Sequence, residues 1–154
     1  MPKAKRKGVV VLHGPNLNAL GRREKHVYGA ATLADIDATI RTAASQLGLH
    51  AQIFQYSSEG ELIDAIHLAS ERGDAIIINA GAYSHYSYAI RDALSAAAVP
   101  KVEVHLSNVY AREAFRHDCV IAAAVDGCIL GFGAQSYVLG MRAVSSMLDG
   151  PPVS

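Results

Sequence analysis

The chain has no net charge to offer a partner: fourteen Lys and Arg balance fourteen Asp and Glu. No global field points at nucleic acid or an acidic lipid surface, and neither is expected as a partner. No run reaches the roughly 18 apolar residues of a membrane span. No long apolar segment follows the basic N-terminal residues, as it would in a secretory signal. Cysteine is scarce. Cys119 and Cys128 are the only two, they lack metal-ligand spacing, and they read as small core residues. A reducing, cytoplasmic location is the expectation. Nucleotide motifs are missing as well. Gly14 to Gly21 lacks the Gly-Lys-Ser/Thr ending of a phosphate loop, and no Gly-x-Gly-x-x-Gly follows the first apolar run. Gly131-Phe-Gly133 is a lone fragment that reads as a turn into the last helix. There is no repeat, low-complexity linker or second domain.

What is present fits a single domain. The length is 154 residues, and 51% of them are apolar, enough for one sizeable core. Lys3, Lys5, Arg6 and Lys7 form a basic leader, which leaves ten basic against fourteen acidic residues elsewhere. The leader reads as a solvated tail over 1–8 rather than a nucleic-acid arm or lipid contact. The domain is expected over 9–149, with a flexible tail over 150–154.

Strand-like and helix-like segments alternate. Val9 to Leu12 is a short apolar run. Thr32 opens a helix whose apolar face is Leu33, Ile36, Ile40, Ala43, Ala44 and Leu47, with Gly48 as its stop. Leu49 to Gln55 is the second strand. Ser58 and Glu61 have capping-box spacing before a helix that Gly73 ends. Ala75 to Asn79 is the third strand. A helix from about Ser84 to Ala98 follows, and Lys101 to His105 is the fourth strand. The fifth is either Val120 to Ala124 or Cys128 to Leu130. The last helix runs from about Gln135 to Leu148. Strands apolar on both faces need cover on both sides, which predicts a flavodoxin-like, three-layer α/β fold with a parallel sheet of about five strands. Such folds bind ligands beyond the carboxyl ends of their strands. The predicted strands close on His13, Gln55, Asn79 and His105, so polar groups gather on the expected edge.

Individual residues leave the chemistry open. Glu103 and His105 lie two apart on one strand face, as two metal ligands or, the preferred reading, as a carboxylate orienting a histidine. Arg112 and Arg116 are four apart, sharing a face if the segment is helical. They are either an anion clamp with Ser107 or ordinary surface ion pairs. Tyr28 is compatible with packing or with chemistry, and Asn16 and Asn18 with a turn beside Pro15.

Taken together, GPNLN at 14–18, GRRE at 21–24 with VYG at 27–29, EGELIDAIH at 59–67, INAGAYSH at 78–85, AIRDAL at 89–94, VEVHLSN at 102–108 and AREAFRH at 111–117 resemble the type II 3-dehydroquinate dehydratases, in order and spacing. The resemblance covers Val9 to Leu148. It implies a flavodoxin-like enzyme, usually a dodecamer built from trimers, that needs no metal or organic cofactor. The implied reaction is dehydration of 3-dehydroquinate to 3-dehydroshikimate, in aromatic biosynthesis or in quinate breakdown. A non-catalytic flavodoxin-like binding protein is the rival reading.

The implied roles match the chemistry of removing water β to a ketone, which needs a base, an enolate stabiliser and an acid. By resemblance Tyr28 is the base, on a loop that acts as a lid. A free tyrosine is largely protonated at neutral pH, and nearby positive charge favours the phenolate, which gives Arg23 and Arg112 a purpose. Asn16 holds the water that stabilises the enolate oxygen. His105 is the acid, and Glu103 orients its ring. Arg116, Ser107 and the Leu106 backbone bind the carboxylate, while Asn79 and His85 hold ring hydroxyls. Asp92 reaches a neighbouring subunit's site. Three departures stand out. His13 replaces a common asparagine, and little change is expected from it. Tyr86 and Tyr88 are bulkier than usual and are expected to bear on subunit contacts. Gln55-Tyr-Ser-Ser58 varies the usual residues before a helix.

Overall fold

The computed structural model describes residues 7–22 and 24–150. Five strands form one sheet: β1 (Lys7–His13), β2 (Leu49–Gln55), β3 (Ala75–Asn79), β4 (Lys101–His105) and β5 (Gly127–Leu130). Their order is β2-β1-β3-β4-β5, and every pairing is parallel. This is the doubly wound order that reverses direction between β1 and β3, where a crevice opens at the carboxyl ends.

Five α-helices are present among the described residues: α1 (Lys25–Tyr28), α2 (Leu33–Gln46), α3 (Glu59–Arg72), α4 (Tyr88–Ala96) and α5 (Gln135–Leu148). One face of the sheet buries Val9, Val11, Ile77, Val102 and Val104 against α2 and α5. The other buries Val10, Leu12, Ile76 and Ile78 against α3 and α4. Alternation along each strand therefore supplies two cores. Each fully buried aliphatic side chain contributes about 1.5–3 kcal/mol.

Helix boundaries follow local chemistry. Thr32 and Asp35 close a reciprocal capping box on α2. The Ser58 hydroxyl accepts from the Glu61 backbone N–H at 3.1 Å to start α3, and Gly73 ends it in the left-handed conformation. The predicted Ser84–Ala98 helix is shorter. Ser87 caps α4 by accepting from the Ile90 N–H at 3.1 Å, and Gly81–His85 winds as a 3₁₀ turn instead. Ser87 also donates to Glu59 at 2.5 Å, which fixes where α4 begins against α3.

The fifth strand is the later of the two candidates, since Ala122–Ala124 forms a 3₁₀ turn. The first strand starts at Lys7, whose ammonium donates to the Leu148 carbonyl and the Asp149 carboxylate at 2.8 Å each. Lys7 and Gly8 thus belong to the sheet, two residues before the expected start. Residues 1–6 and 151–154 of the predicted tails lie outside the described residues. Neither cysteine sits in a core: Cys119 is half-buried and Cys128 is exposed. Among the described residues, no helix is long and apolar enough to cross a membrane.

Candidate active site

The site is built where β1, β3 and β4 end. The loops after β1 and β3 touch through backbone. The Gly14 N–H donates to the Asn79 carbonyl at 2.7 Å, and a Cβ on Gly14 would lie 2.5 Å from the Ala80 carbonyl carbon and oxygen. Only glycine fits there. This clamp leads directly into Asn16, which has φ of 69° and is the one non-glycine with positive φ among the described residues. Asparagine tolerates that conformation better than most residues, and such outliers persist where the surroundings over-determine them.

A concavity of about 640 Å³, open to solvent, lies over these ends. Asn16, Tyr28, Asn79, His85, His105, Leu106, Ser107, Arg112 and Arg116 all line it. Nine of the twelve predicted site residues therefore meet in one place. Glu103 sits behind His105. Asp92 is exposed on α4 and does not line the cavity. Arg23 lies outside the described residues. A more apolar groove between β2 and α3, lined by Phe54, Tyr56 and Leu68, has no such convergence of polar groups.

Arg112 approaches the tyrosine from the segment after β4. Its Nη1 donates to Tyr28 Oη at 2.6 Å, and the guanidinium carbon stands 5.0 Å from the ring centroid. It also reaches Ser107 Oγ at 3.5 Å and Glu24 at 3.5 Å. A guanidinium can only donate, so the phenol oxygen accepts, and negative charge on that oxygen is stabilised.

Helical spacing does not explain the two arginines. The segment breaks into 3₁₀ turns at Val109–Ala111 and Ala114–His117, with Arg112 extended between them at φ −115°. Both guanidiniums reach the same cavity without sharing a helix face. Glu113 accepts from Arg116 Nε, which holds its carboxyl below the usual carboxylate range and fixes the guanidinium plane.

His105 is buried, and its Nε2 lies 2.6 Å from Glu103 Oε2. A carboxylate only accepts, so the proton resides on Nε2 and Nδ1 is the nitrogen left for the cavity. Glu103 is wholly buried, and its Oε1 has no hydrogen-bond partner. His85 stacks 6.3 Å from the His105 ring. Its Nδ1 donates to the Asp118 carbonyl at 2.9 Å, which leaves Nε2 as an acceptor. Burial holds His85 below the ordinary histidine value. The Asp118 bond opposes that shift, and the charges of His105 and Arg116 reinforce it.

Sequence reasoning missed Cys119. Its Sγ lies 3.8 Å from His85 Nδ1 and joins Glu103 and His105 in a cluster whose ligand atoms are all within 4.8 Å of one another. Its neutral chemistry is set by surroundings: burial first, then the Glu103 charge, push the thiol up to about 11. The arginines lining the same cavity work against a cation there, and the short Glu103–His105 bond makes the pair an oriented histidine. His13, expected to matter little, proves fully buried and bonded on both ring nitrogens.

The family description "Dehydroquinase class II" matches residues 7–145. A 3-dehydroquinate dehydratase of Caldicellulosiruptor bescii is 52% identical over 144 residues, covering 93% of this chain and 99% of that protein. One from Jannaschia sp. is 54% identical over 136 residues, covering 88% and 92%. The crystal structure of a type II dehydroquinase from Propionibacterium acnes superposes with a TM-score of 0.88 at 41% identity, covering 91% of this chain and 97% of that one. A matched family spanning nearly the whole chain, on the same fold and with the strand-end residues in one cavity, shows that the chain belongs to the class II dehydroquinases.

Proposed function

We propose that the protein is a hydro-lyase that converts 3-dehydroquinate to 3-dehydroshikimate by anti elimination of water, within the shikimate pathway of aromatic biosynthesis. One arrangement carries the reading: a phenol under a guanidinium and a carboxylate-oriented imidazole line the same cavity as Asn16.

Tyr28, as phenolate, takes the proton from the carbon next to the ketone, and the C–H electron pair becomes the enolate. Arg112 stabilises the phenolate, and Arg23, five positions before Tyr28 in the sequence, is assigned to the same task. Asn16 holds the water that donates to the enolate oxygen; one well-placed donor of this kind lowers a barrier by about 3 kcal/mol. The enolate collapses, the C–O bond breaks, and His105, entering this step as imidazolium with Nε2–H on Glu103 and a second proton on Nδ1, gives that Nδ1 proton to the leaving hydroxide. Tyr28 has gained one proton and His105 has lost one, so a single proton returned between them resets the site. Glu103 fixes the His105 ring throughout. Arg116, Ser107 and the Leu106 backbone hold the substrate carboxylate, while Asn79 and His85 hold ring hydroxyls.

Asp92 is exposed on α4, beside Tyr86 and Tyr88, which are 58% and 66% exposed. This face is assigned to subunit contacts, with Asp92 reaching a neighbouring site in a dodecamer built from trimers. A cytoplasmic location completes the reading.

The product is a conjugated enone and the substrate is not, so ultraviolet absorbance reports the reaction directly. Wild-type protein added to 3-dehydroquinate gives a rise, and Tyr28→Phe, still folded, gives almost none. A flat wild-type trace would favour the non-catalytic binding protein. Near-normal turnover in Tyr28→Phe would remove Tyr28 as base.

A further inference from the structure

Behind the cavity a buried chain of polar groups runs from α2 through β1 and α5 to β3. Asp37 Oδ1 lies 2.8 Å from His13 Nε2. His13 Nδ1 lies 2.9 Å from the Tyr137 hydroxyl, and Asn79 Nδ2 lies 3.1 Å from the same hydroxyl. His13, Tyr137 and Asn79 are 0%, 1% and 3% exposed. Burial pushes the Tyr137 phenol above the ordinary tyrosine value, so the hydroxyl keeps its proton. None of these contacts is accidental in register, because His13 and Asn79 are direct partners across β1 and β3.

The direction of every bond follows from one backbone group. The Gly81 N–H can only donate, and it meets Asn79 Oδ1 at 3.2 Å. The amide oxygen is thereby assigned, and the amino group must face Tyr137. Tyr137 accepts that hydrogen, so its own hydrogen goes to His13 Nδ1. His13 then carries its proton on Nε2, aimed at the Asp37 carboxylate. One Nδ2 hydrogen of Asn79 remains, on a residue that lines the cavity.

We infer that Asp37, His13 and Tyr137 form a relay that locks Asn79 as a hydrogen-bond donor to the substrate, which makes His13 and Tyr137 positioning residues for substrate affinity. The inference rests on the assignment of Asn79 to a ring hydroxyl. Asparagine amides rotate through two nearly isosteric states, and only one presents a donor in the right place. A relay anchored on a carboxylate at its far end, 21% exposed, removes the other state.

Steady-state kinetics with 3-dehydroquinate on four variants and one double variant test this. Tyr137→Phe raises KM by roughly tenfold, the worth of one hydrogen bond, and changes kcat by less than about threefold. Asn79→Ala raises KM at least as much. The Asn79→Ala/Tyr137→Phe double variant has the KM of Asn79→Ala alone, because the relay acts only through Asn79. Asp37→Ala, at the partly exposed end where folding is least at stake, raises KM severalfold. Asp37→Asn, whose Oδ1 still accepts from His13, returns it to within about twofold of wild type.

A wild-type KM in Tyr137→Phe, or a Tyr137 effect that multiplies on the Asn79→Ala background, would overturn the relay while leaving Asn79 as a substrate ligand. Equal KM values for Asp37→Ala and Asp37→Asn would overturn it too. A wild-type KM in Asn79→Ala would instead refute the assignment of Asn79, and the relay with it.

Discussion

Replacing Glu103 by Gln separates the electrostatic contribution of this residue from its packing. The carboxylate is wholly buried in β4, one oxygen bonded to His105 at 2.6 Å and the other without a partner. Gln keeps the shape and an acceptor for His105 Nε2–H, but removes the charge. A hydrogen bond to a charged group contributes about 1.5–3 kcal/mol and a neutral one about 0.5–1.5. The difference of about 1–1.5 kcal/mol falls on the imidazolium that must form before His105 can donate, so the share of enzyme ready to protonate the leaving group, and kcat with it, drops by about tenfold. Glu103→Leu removes the acceptor as well. The ring loses its orientation, and kcat falls by roughly a hundredfold or more.

Stability moves differently. Removing a buried charge with an unpartnered oxygen relieves desolvation, while the new amide N–H₂ in Gln has no acceptor waiting. These effects are each about 1–3 kcal/mol and opposed, so Tm stays within about 5 °C of wild type. The assay is enone absorbance for kcat beside a thermal melt on the same samples. A Glu103→Gln kcat within twofold of wild type would refute the argument that the carboxylate's charge drives the acid. A melting loss well beyond 5 °C would show that the buried anion serves the fold.

Two further outcomes follow from the same geometry. Gly14→Ala places a Cβ 2.5 Å from Ala80 backbone atoms, which forces the loops after β1 and β3 apart; thermal melting shows a loss of about 1–3 kcal/mol, and turnover falls with it because Asn16 is displaced. His85 is held below 6.5, chiefly by burial. Between its folded value and 6.5 the unfolded chain binds a proton that the folded chain does not. Stability therefore falls as pH is lowered through 6.5 and levels off below the folded value. Melts of wild type and His85→Gln across that window show the fall only in wild type, and parallel curves would contradict it.

The fold was legible because each rule acted locally. Apolar runs in Val9 to Leu12 and Ala75 to Ile78 marked strands buried on both faces, and glycines at 48 and 73 ended helices where expected. The misreadings were equally physical. Hydrophobic spacing around Ser84 continues into α4, but Ser87 offers a cap three residues later, and the cap decides the boundary. Arg112 and Arg116 have helical spacing, yet the segment turns twice at 3₁₀ pitch and Arg112 is extended. Cys128 lies in an apolar stretch but on the edge strand β5, where one side stays open. Spacing records which residues are apolar, not which neighbours arrive to cover them.

The site was legible for a different reason. In a parallel sheet every strand points the same way, so residues far apart in sequence that close their strands must gather along one edge. His13, Asn79 and His105 obey that rule equally, and sequence alone gives no ground for ranking them. Three-dimensional contacts divide them. His105 keeps Nδ1 for the cavity because Glu103 occupies Nε2, and Asn79 keeps one amide hydrogen. His13 has both nitrogens engaged, by Tyr137 and Asp37, so it has nothing left with which to touch a substrate. The partners that decide this come from α2 and α5, 24 and 124 residues away. A polar strand end is therefore a site signal in this fold, but whether it meets the ligand or braces the residue that does depends on how many of its hydrogen bonds the helices have already taken.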